Sequence, residues 1–284
     1  MVNFHLMPER NNRLHLLQDF KKYTMTKTAL VTGASFGLGY EFARIHAENG
    51  GNLVLVARSK DKLDELKKEL EEKYSVTVHV ITKDLSLHGS AYDVYNKVSD
   101  LNIEIDYLIN NAGFGDFRYF TESDWPKQEK MINLNIMALT HLTRLFLPLM
   151  ISRNSGKILN VASVASFVPG PTMSVYFATK AYVLSFSEAI AEEVRGKGVT
   201  VTALCPGPTE SNFHGIARDG KSGRETKMPT ARKVSEYGYK SMLKGRVLAV
   251  PGALNSVVPF LVKFLPRSLV VRIIKKAQEG KHND

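Results

Sequence analysis

The chain has 284 residues, of which 44% are hydrophobic, with 38 Lys and Arg against 28 Asp and Glu and a single cysteine. This size gives room for a substantial core, and the hydrophobic fraction excludes disorder over most of the chain. One cysteine excludes an intramolecular disulfide framework and a zinc site built on several thiolates. No run of 18 or more apolar residues occurs, and residues 1–25 lack the apolar segment of a secretory signal, so we expect no membrane-spanning helix and a cytoplasmic location.

The basic excess is confined to the last quarter of the chain. Residues 1–217 contain 23 basic and 23 acidic side chains, whereas residues 218–284 contain 15 basic and 5 acidic ones. A neutral body with a basic tail indicates a local partner. Nucleic acid is not expected, because the aromatic residues of the tail lie in apolar or helical patterns and not along a basic stripe.

Short apolar runs alternate with longer amphipathic patterns. The predicted strands are Thr28–Thr32, Leu53–Ala57, Val76–Ile81, Ile105–Asn110, Lys157–Ala162, Val199–Cys205 and Arg246–Val250. The predicted helices are Gly37–Asn49, Asp61–Tyr74, Ser90–Leu101, Gln128–Arg153 and Tyr176–Arg195. This alternation predicts a single α/β domain of the Rossmann type, with a doubly wound parallel sheet of about seven strands and helices on both faces.

Three segments fall outside this alternation. Residues 1–25 are predicted to be an N-terminal extension of a domain that spans residues 26–250. Residues 207–230, rich in glycine, proline and charge, are too long for an ordinary connection and predict a substrate lid. Residues 251–284 are predicted to be a basic amphipathic tail of short helices.

A glycine-rich turn joins the first predicted strand to the first predicted helix. It contains Gly33, Ser35, Phe36, Gly37, Leu38 and Gly39. Glycines at such a turn let the backbone approach a pyrophosphate at the start of the helix. The alternative is a plain turn between strand and helix, which the position between these two elements makes less favourable.

The end of the second strand indicates which dinucleotide would bind. The strand ends at Arg58, and no acidic residue occurs before Asp61. A carboxylate here would bind the ribose 2′-hydroxyl of NAD, whereas a basic residue accommodates the 2′-phosphate of NADP. We therefore expect NADP(H), the alternative being that Arg58 is merely a solvated residue.

The spacing Gly33-xxx-Gly37-x-Gly39 resembles the short-chain dehydrogenase/reductase family, and five further motifs follow in the order of that family. They are Asp84-Leu85, Asn110-Asn111-Ala112-Gly113, Asn135, Ser163 with Tyr176-xxx-Lys180, and Pro206-Gly207 with Thr209. The resemblance covers residues 27–211 and implies hydride transfer between a nicotinamide cofactor and a carbonyl or secondary alcohol. It also implies cofactor contacts at Asp84, Leu85, Asn111, Ala112, Gly113, Tyr176, Lys180, Pro206, Gly207 and Thr209.

The same resemblance implies a catalytic set of Asn135, Ser163, Tyr176 and Lys180. Tyr176 suits a general acid and base, and Lys180, four residues on, would share its helix face. A neighbouring ammonium favours phenolate, as would the positive nicotinamide ring of the oxidised cofactor, so we expect the pKa of Tyr176 to fall by two to three units from about 10. Ser163 would donate a hydrogen bond to the substrate oxygen. The resemblance places Lys180 on the cofactor ribose and has Asn135 hold a water molecule that relays protons.

Other chemistries find little support. The eight histidines show no paired metal spacing, so no metal is expected. Cys205, at a strand end before Pro206, is predicted to be a packed core thiol. A dinucleotide-binding redox sensor without turnover is the alternative function, but it predicts loss of catalytic residues, and all four are present.

The predicted pocket is apolar and indicates a hydrophobic substrate such as a 3-oxoacyl thioester or a ketone. Its residues would be Phe114, Gly115, Phe117, the segment Phe167–Met173 and the lid from Thr209. The basic tail leaves three alternatives open: an acidic carrier such as coenzyme A or an acyl carrier protein, a peripheral contact with anionic lipid, or packing on another subunit. The resemblance further implies a homodimer or homotetramer, joined through the helices that hold Asn135 and Tyr176.

Overall fold

A computed structural model describes residues 26–210, 228–252 and 264–282, together with the single positions 255, 257 and 262. The N-terminal extension and residues 211–227 of the predicted lid lie outside the described residues. Seven parallel strands form one sheet in the order β3-β2-β1-β4-β5-β6-β7. Their bounds are β1 Thr28–Thr32, β2 Asn52–Ala57, β3 Val78–Thr82, β4 Tyr107–Asn110, β5 Gly156–Val161, β6 Val199–Leu204 and β7 Leu248–Ala249.

Helices cover both faces of the sheet, which confirms the predicted doubly wound α/β architecture. The described helices are α1 Gly37–Glu48, α2 Lys60–Tyr74, α3 Ser90–Asp100, α4 Trp125–Ile132, α5 Leu139–Ser152, α6 Ser174–Glu193, α7 Ala231–Leu243 and α8 Arg267–His282. A π-helical segment, Asn133–Ala138, joins α4 to α5. Helices α1, α2 and α7 pack on one face, and α3, α5 and α6 pack on the other.

Helix α7 lies in a part of the chain where no helix was predicted, and it contains a glycine, Gly238. A Cβ at Gly238 would lie 2.7 Å from Cδ2 of Leu204, so the glycine lets α7 approach β6 closely. The buried side chains Tyr239 and Met242 then join the core beside α1. Gly238 is therefore a packing position inside a helix, although a glycine in a sequence more often indicates a break.

The α4–π–α5 helix, Trp125–Ser152, is long and apolar enough by length and hydropathy to cross a membrane. The helix contains no uninterrupted apolar run of 18 residues, because polar residues such as Arg144 lie within it, and the sequence therefore predicted no membrane-spanning helix. A helix packed on a protein core meets the same two criteria. This one buries Leu142, Phe146 and Met150 against the sheet, which makes its apolar side part of the core.

His46, on α1, is a buried polar residue, 1% exposed, that links three parts of the fold. Its Nε2 donates to the carbonyl of Lys27 at 3.0 Å, and its Nδ1 lies 2.8 Å from the hydroxyl of Tyr239. Burial lowers the pKa of His46 from 6.5 to about 4. The unfolded chain therefore binds a proton between these two values that the folded chain does not.

Stability should accordingly fall as the pH is lowered from 6.5 towards 4. The His46 contribution to this loss approaches about 3 kcal/mol at the lower end. Urea unfolding of the wild type and His46→Gln at pH 7.5 and 5 measures it. We expect a smaller loss of unfolding free energy in the variant, and equal losses would contradict the assignment.

Candidate active site

A cavity of about 430 Å³ opens where strands β1, β4, β5 and β6 end. The strand order reverses between β1 and β4, and ligands of open α/β sheets bind at such a point. Each of these strands is followed by a residue that lines the cavity: Gly33, Asn111, Ser163 and Pro206. The topology therefore gathers motifs that are far apart in the sequence.

The glycine turn forms one wall of this cavity. Gly33 and Gly37 have φ angles of +66° and +61°, which L side chains rarely adopt. A Cβ at Gly39 would lie 2.2 Å from the carbonyl oxygen of Gly33, so this glycine lets α1 pack onto the turn. Among the described residues, no side chain caps the first amides of α1 after Phe36. These amides form a site suited to an anion.

Asn111 fastens the loop after β4 to the glycine turn. Its Nδ2 donates to the carbonyls of Thr32 and Gly33 at 2.9 and 3.2 Å. The hydroxyl of Thr32 accepts hydrogen bonds from the amides of Asn111 and Ala112 at 2.9 and 3.0 Å. The two loops are thus rigidly joined, with Ala112 and Gly113 on the cavity wall.

Arg58 and Asp84 lie near each other beyond the ends of β2 and β3. Arg58 is exposed and does not line the cavity described above. Asp84 accepts hydrogen bonds from the amide and hydroxyl of Ser86 at 2.9 and 2.7 Å. Partial burial raises the pKa of Asp84, but these bonds and the charge of Arg58 outweigh it, so the net shift is downwards. Leu85 is buried beside them.

Asn135 lies inside the π segment and holds the loop after β4 in place. Its Oδ1 accepts from the amide of Phe114 at 3.1 Å, and its Nδ2 donates to the carbonyl of Phe114 at 3.0 Å. The same Nδ2 lies 3.1 Å from the hydroxyl of Thr179 on α6. Asn135 therefore connects the loop, the long helix and the helix of Tyr176.

Ser163 and Tyr176 meet inside the cavity, and their hydroxyls are hydrogen-bonded to each other. Ser163 follows β5 and begins a 3₁₀ turn, where its Oγ accepts from the amide of Ala165 at 3.1 Å. The serine is thus both a cap and a cavity residue. Both side chains are buried, which places a hydroxyl pair in a setting with little competing water.

The pKa of Tyr176 in this structure lies above its usual value, so Lys180 alone does not produce the predicted lowering. Burial raises the pKa of Tyr176 to about 12, although the hydrogen bond with Ser163 acts in the opposite direction. Lys180 does share the helix face, but its Nζ donates to the carbonyl of Val161 at 2.7 Å and lies over the tyrosine ring at 5.9 Å from the centroid. Burial also lowers the pKa of Lys180 to about 8. Burial thus favours the neutral form of both groups.

Of the remaining predicted residues, Pro206, Gly207 and Thr209 line the cavity after β6. Phe117, Val168 and Met173 line it as well, whereas Phe114, Gly115 and the rest of the segment Phe167–Met173 do not. Glu210 and Thr230 form a parallel bridge, which joins the two ends of the predicted lid. Cys205 is a buried core thiol, as predicted, and burial raises its pKa to about 12.

Sequence reasoning missed one wall of the cavity. Ile274, Ala277 and Gln278 of α8 line it, although they lie about one hundred residues beyond Tyr176 in the chain. Ile274 packs on the cluster that contains Tyr176 and Phe177. The hydroxyl of Tyr119 donates to Oε1 of Glu279 at 3.0 Å and ties α8 to the loop after β4. The amphipathic pattern predicted a helix here, but no local signal indicated its partner.

A parallel Rossmann-type sheet with a buried serine, tyrosine and lysine at its crevice defines the class of dinucleotide-fold oxidoreductases. Residues 27–221 match the family described as short chain dehydrogenase. The chain belongs to this short-chain dehydrogenase family and is an oxidoreductase.

Curated relatives and solved structures agree with this assignment. The chain is 34% identical over 266 residues to the very-long-chain 3-oxoacyl-CoA reductase of Rattus norvegicus, covering 89% of this chain and 83% of the relative. It is 29% identical to a short-chain dehydrogenase from Sphingobium yanoikuyae in complex with NADPH, with a TM-score of 0.74 over 85% of this chain and 97% of that one. A bulky-bulky ketone specific alcohol dehydrogenase from Comamonas testosteroni is 28% identical, with a TM-score of 0.73 over 86% and 97% of the two chains.

Proposed function

We propose that this protein is an NADP(H)-dependent reductase of hydrophobic 3-oxoacyl thioesters or related ketones, with Tyr176 as its general acid and base. The observation that carries the proposal is the hydrogen-bonded pair of Ser163 and Tyr176, which faces an apolar cavity beside the glycine turn. Lys180 lies beside this pair and Asn135 holds the adjoining loop.

The residues around the glycine turn fit a dinucleotide. The uncapped amides of α1 suit its pyrophosphate, and the absence of side chains at Gly33 and Gly39 keeps the turn compact. Arg58 and Asp84 lie at the ends of the neighbouring strands, where an adenosine ribose and adenine are expected. When bound, NADPH supplies the hydride that reduces a carbonyl carbon.

Side chains of the protein supply the proton that the substrate oxygen takes up during reduction. Because burial raises the pKa of Tyr176 to about 12, its hydroxyl is protonated at neutral pH and can donate its proton to the substrate oxygen. Ser163 hydrogen-bonds the same oxygen and stabilises the negative charge that develops there. Lys180, positively charged below a pKa of about 8, favours the phenolate that remains.

The cavity wall and the relatives together favour an acyl or other bulky apolar substrate. Phe117, Val168, Met173, Phe177 and Ile274 give the cavity an apolar lining. A relative with 34% identity is named a very-long-chain 3-oxoacyl-CoA reductase, and a structural neighbour is named for bulky ketones. Both names describe a carbonyl flanked by large groups, which an apolar cavity accommodates.

Titration of NADPH and NADH by cofactor fluorescence tests the cofactor preference. Arg58→Ala should weaken NADPH binding about 10- to 100-fold and leave NADH binding unchanged, because only NADPH carries the 2′-phosphate. Lys60→Ala is the matched control, since Lys60 is also exposed but pairs with Asp64.

Each outcome has a definite meaning. Equal losses for both cofactors would contradict a 2′-phosphate role for Arg58, and tighter NADH binding would contradict the NADP assignment. Binding of NADPH without reduction of any 3-oxoacyl thioester or ketone would support the redox-sensor alternative.

A further inference from the structure

Helix α8 has two faces with different surroundings. On the inner face Val270 is buried, and Ile274 and Gln278 line the cavity. On the outer face two large apolar side chains are exposed, Leu269 by 43% and Ile273 by 51%. One helix therefore separates the cavity from an apolar surface on the outside of the molecule.

The outer face carries positive charge as well. At about 100° per residue, Leu269, Ile273, Arg272 and Lys276 fall within one arc of about 100°. All four side chains are exposed. Leu265, just before the helix, adds a further exposed apolar side chain.

Acidic residues do not neutralise this surface. Residues 264–282 contain five Lys and Arg but a single acidic residue, Glu279. Glu279 is engaged by Tyr119 at 3.0 Å and by Lys275 at 3.6 Å. The net charge of the outer face is therefore positive.

An anionic lipid surface fits this combination better than the other possible occupants. Helices that lie in a membrane interface combine an apolar row with flanking Lys and Arg, whose cations attract acidic headgroups. An acidic protein would account for Arg272 and Lys276 but would leave Leu269 and Ile273 unexplained. A second copy of the chain, paired by two-fold symmetry, would bring the same cations against each other.

We propose that the outer face of α8 docks on anionic lipid membranes, which places the mouth of the cavity beside the lipid. A lipophilic substrate would then pass from the membrane to the cavity along this helix. The docking itself rests only on the described surface and not on the proposed reaction.

Cosedimentation of the full chain with phosphatidylcholine vesicles, with and without phosphatidylserine, tests the proposal. The wild type should bind the phosphatidylserine vesicles. Leu269→Gln with Ile273→Gln should weaken this binding about 30-fold, and Arg272→Gln with Lys276→Gln about tenfold or more. The control for the first pair is Leu101→Gln, because Leu101, the residue that follows the C-terminal end of α3, is also exposed, by 40%. Lys60→Gln with Lys68→Gln on α2 removes the same charge from another exposed surface.

Binding that is lost in both α8 variants and retained in both controls supports the proposal. Failure of the wild type to bind overturns it, as does equal binding by the Leu269→Gln, Ile273→Gln variant. If that variant instead changes the sedimentation coefficient of the free protein, the face is a contact between copies. Since no step requires turnover, a negative result here is separate from a failure to reduce carbonyl compounds.

Discussion

Tyr176→Phe should lower the rate of carbonyl reduction by about a thousandfold, the range expected for removal of a general acid. The phenyl ring preserves the packing of the buried side chain on Phe177, so the fold and NADPH binding should be unchanged. Steady-state rates with a 3-oxoacyl thioester, together with fluorescence titration of NADPH, separate chemistry from binding. Tyr182→Phe is the matched control, because Tyr182 lies on the same helix with its hydroxyl 3.0 Å from that of Thr140.

The pH dependence of the wild type adds a second readout. Because burial raises the pKa of Tyr176 to about 12, its hydroxyl stays protonated at neutral and mildly alkaline pH, so reduction there should not be limited by loss of the acid. Alcohol oxidation requires the deprotonated form, and its rate should rise with pH below that value. A Tyr176→Phe enzyme that retained more than about a tenth of wild-type turnover would contradict the role of this hydroxyl.

Gly39→Ala should abolish nucleotide binding and destabilise the fold by about 3 kcal/mol. The added methyl group would lie 2.2 Å from the carbonyl oxygen of Gly33 and 2.5 Å from Nδ2 of Asn111. Because the first atom belongs to the backbone and the second is held by hydrogen bonds to the carbonyls of Thr32 and Gly33, helix α1 must move away from the turn. Urea unfolding and NADPH titration measure the two effects.

Gly50→Ala provides the comparison for this substitution. Gly50 has a φ angle of +77°, and a Cβ there meets no atom within 4 Å. The control should therefore show backbone strain alone, about 1 kcal/mol, with normal nucleotide binding. Wild-type affinity for NADPH in Gly39→Ala would show that close packing of α1 on the turn is not required for the site.

The parts of the fold that were predictable are those with local patterns. The apolar runs predicted all seven strands, although the last strand is shorter than predicted: it spans Leu248–Ala249 and not Arg246–Val250. The spacing of Tyr176 and Lys180 correctly placed both on one helix face. The direction of the tyrosine pKa was not predictable in this way, because sequence spacing gives the proximity of the charges but not the cost of burying them.

Tertiary contacts account for the rest of what was missed. Gly238 resembles a break in the sequence, and only the approach of Leu204 explains its place in a helix. Ile274 reaches the cavity from the end of the chain, where the amphipathic pattern indicates a helix but not its neighbour. The role of Asn135 in holding Phe114 likewise depends on a loop that comes earlier in the sequence.

Because of the π segment Asn133–Ala138, the number of residues in this helix determines which side chains face the active site. A π turn holds one residue more than an α turn, which rotates the side chains on one side of it by about 100° relative to the other. Asn135 can therefore face the loop after β4 while Leu142 and Phe146 still face the sheet. If one residue near Met137 were deleted, the helix could not keep both the contact of Asn135 with the loop and the contacts of Leu142 and Phe146 with the sheet. In this stretch substitutions should be tolerated more readily than insertions or deletions. A deletion would misplace Asn135 and inactivate the site, although every catalytic side chain would still be present.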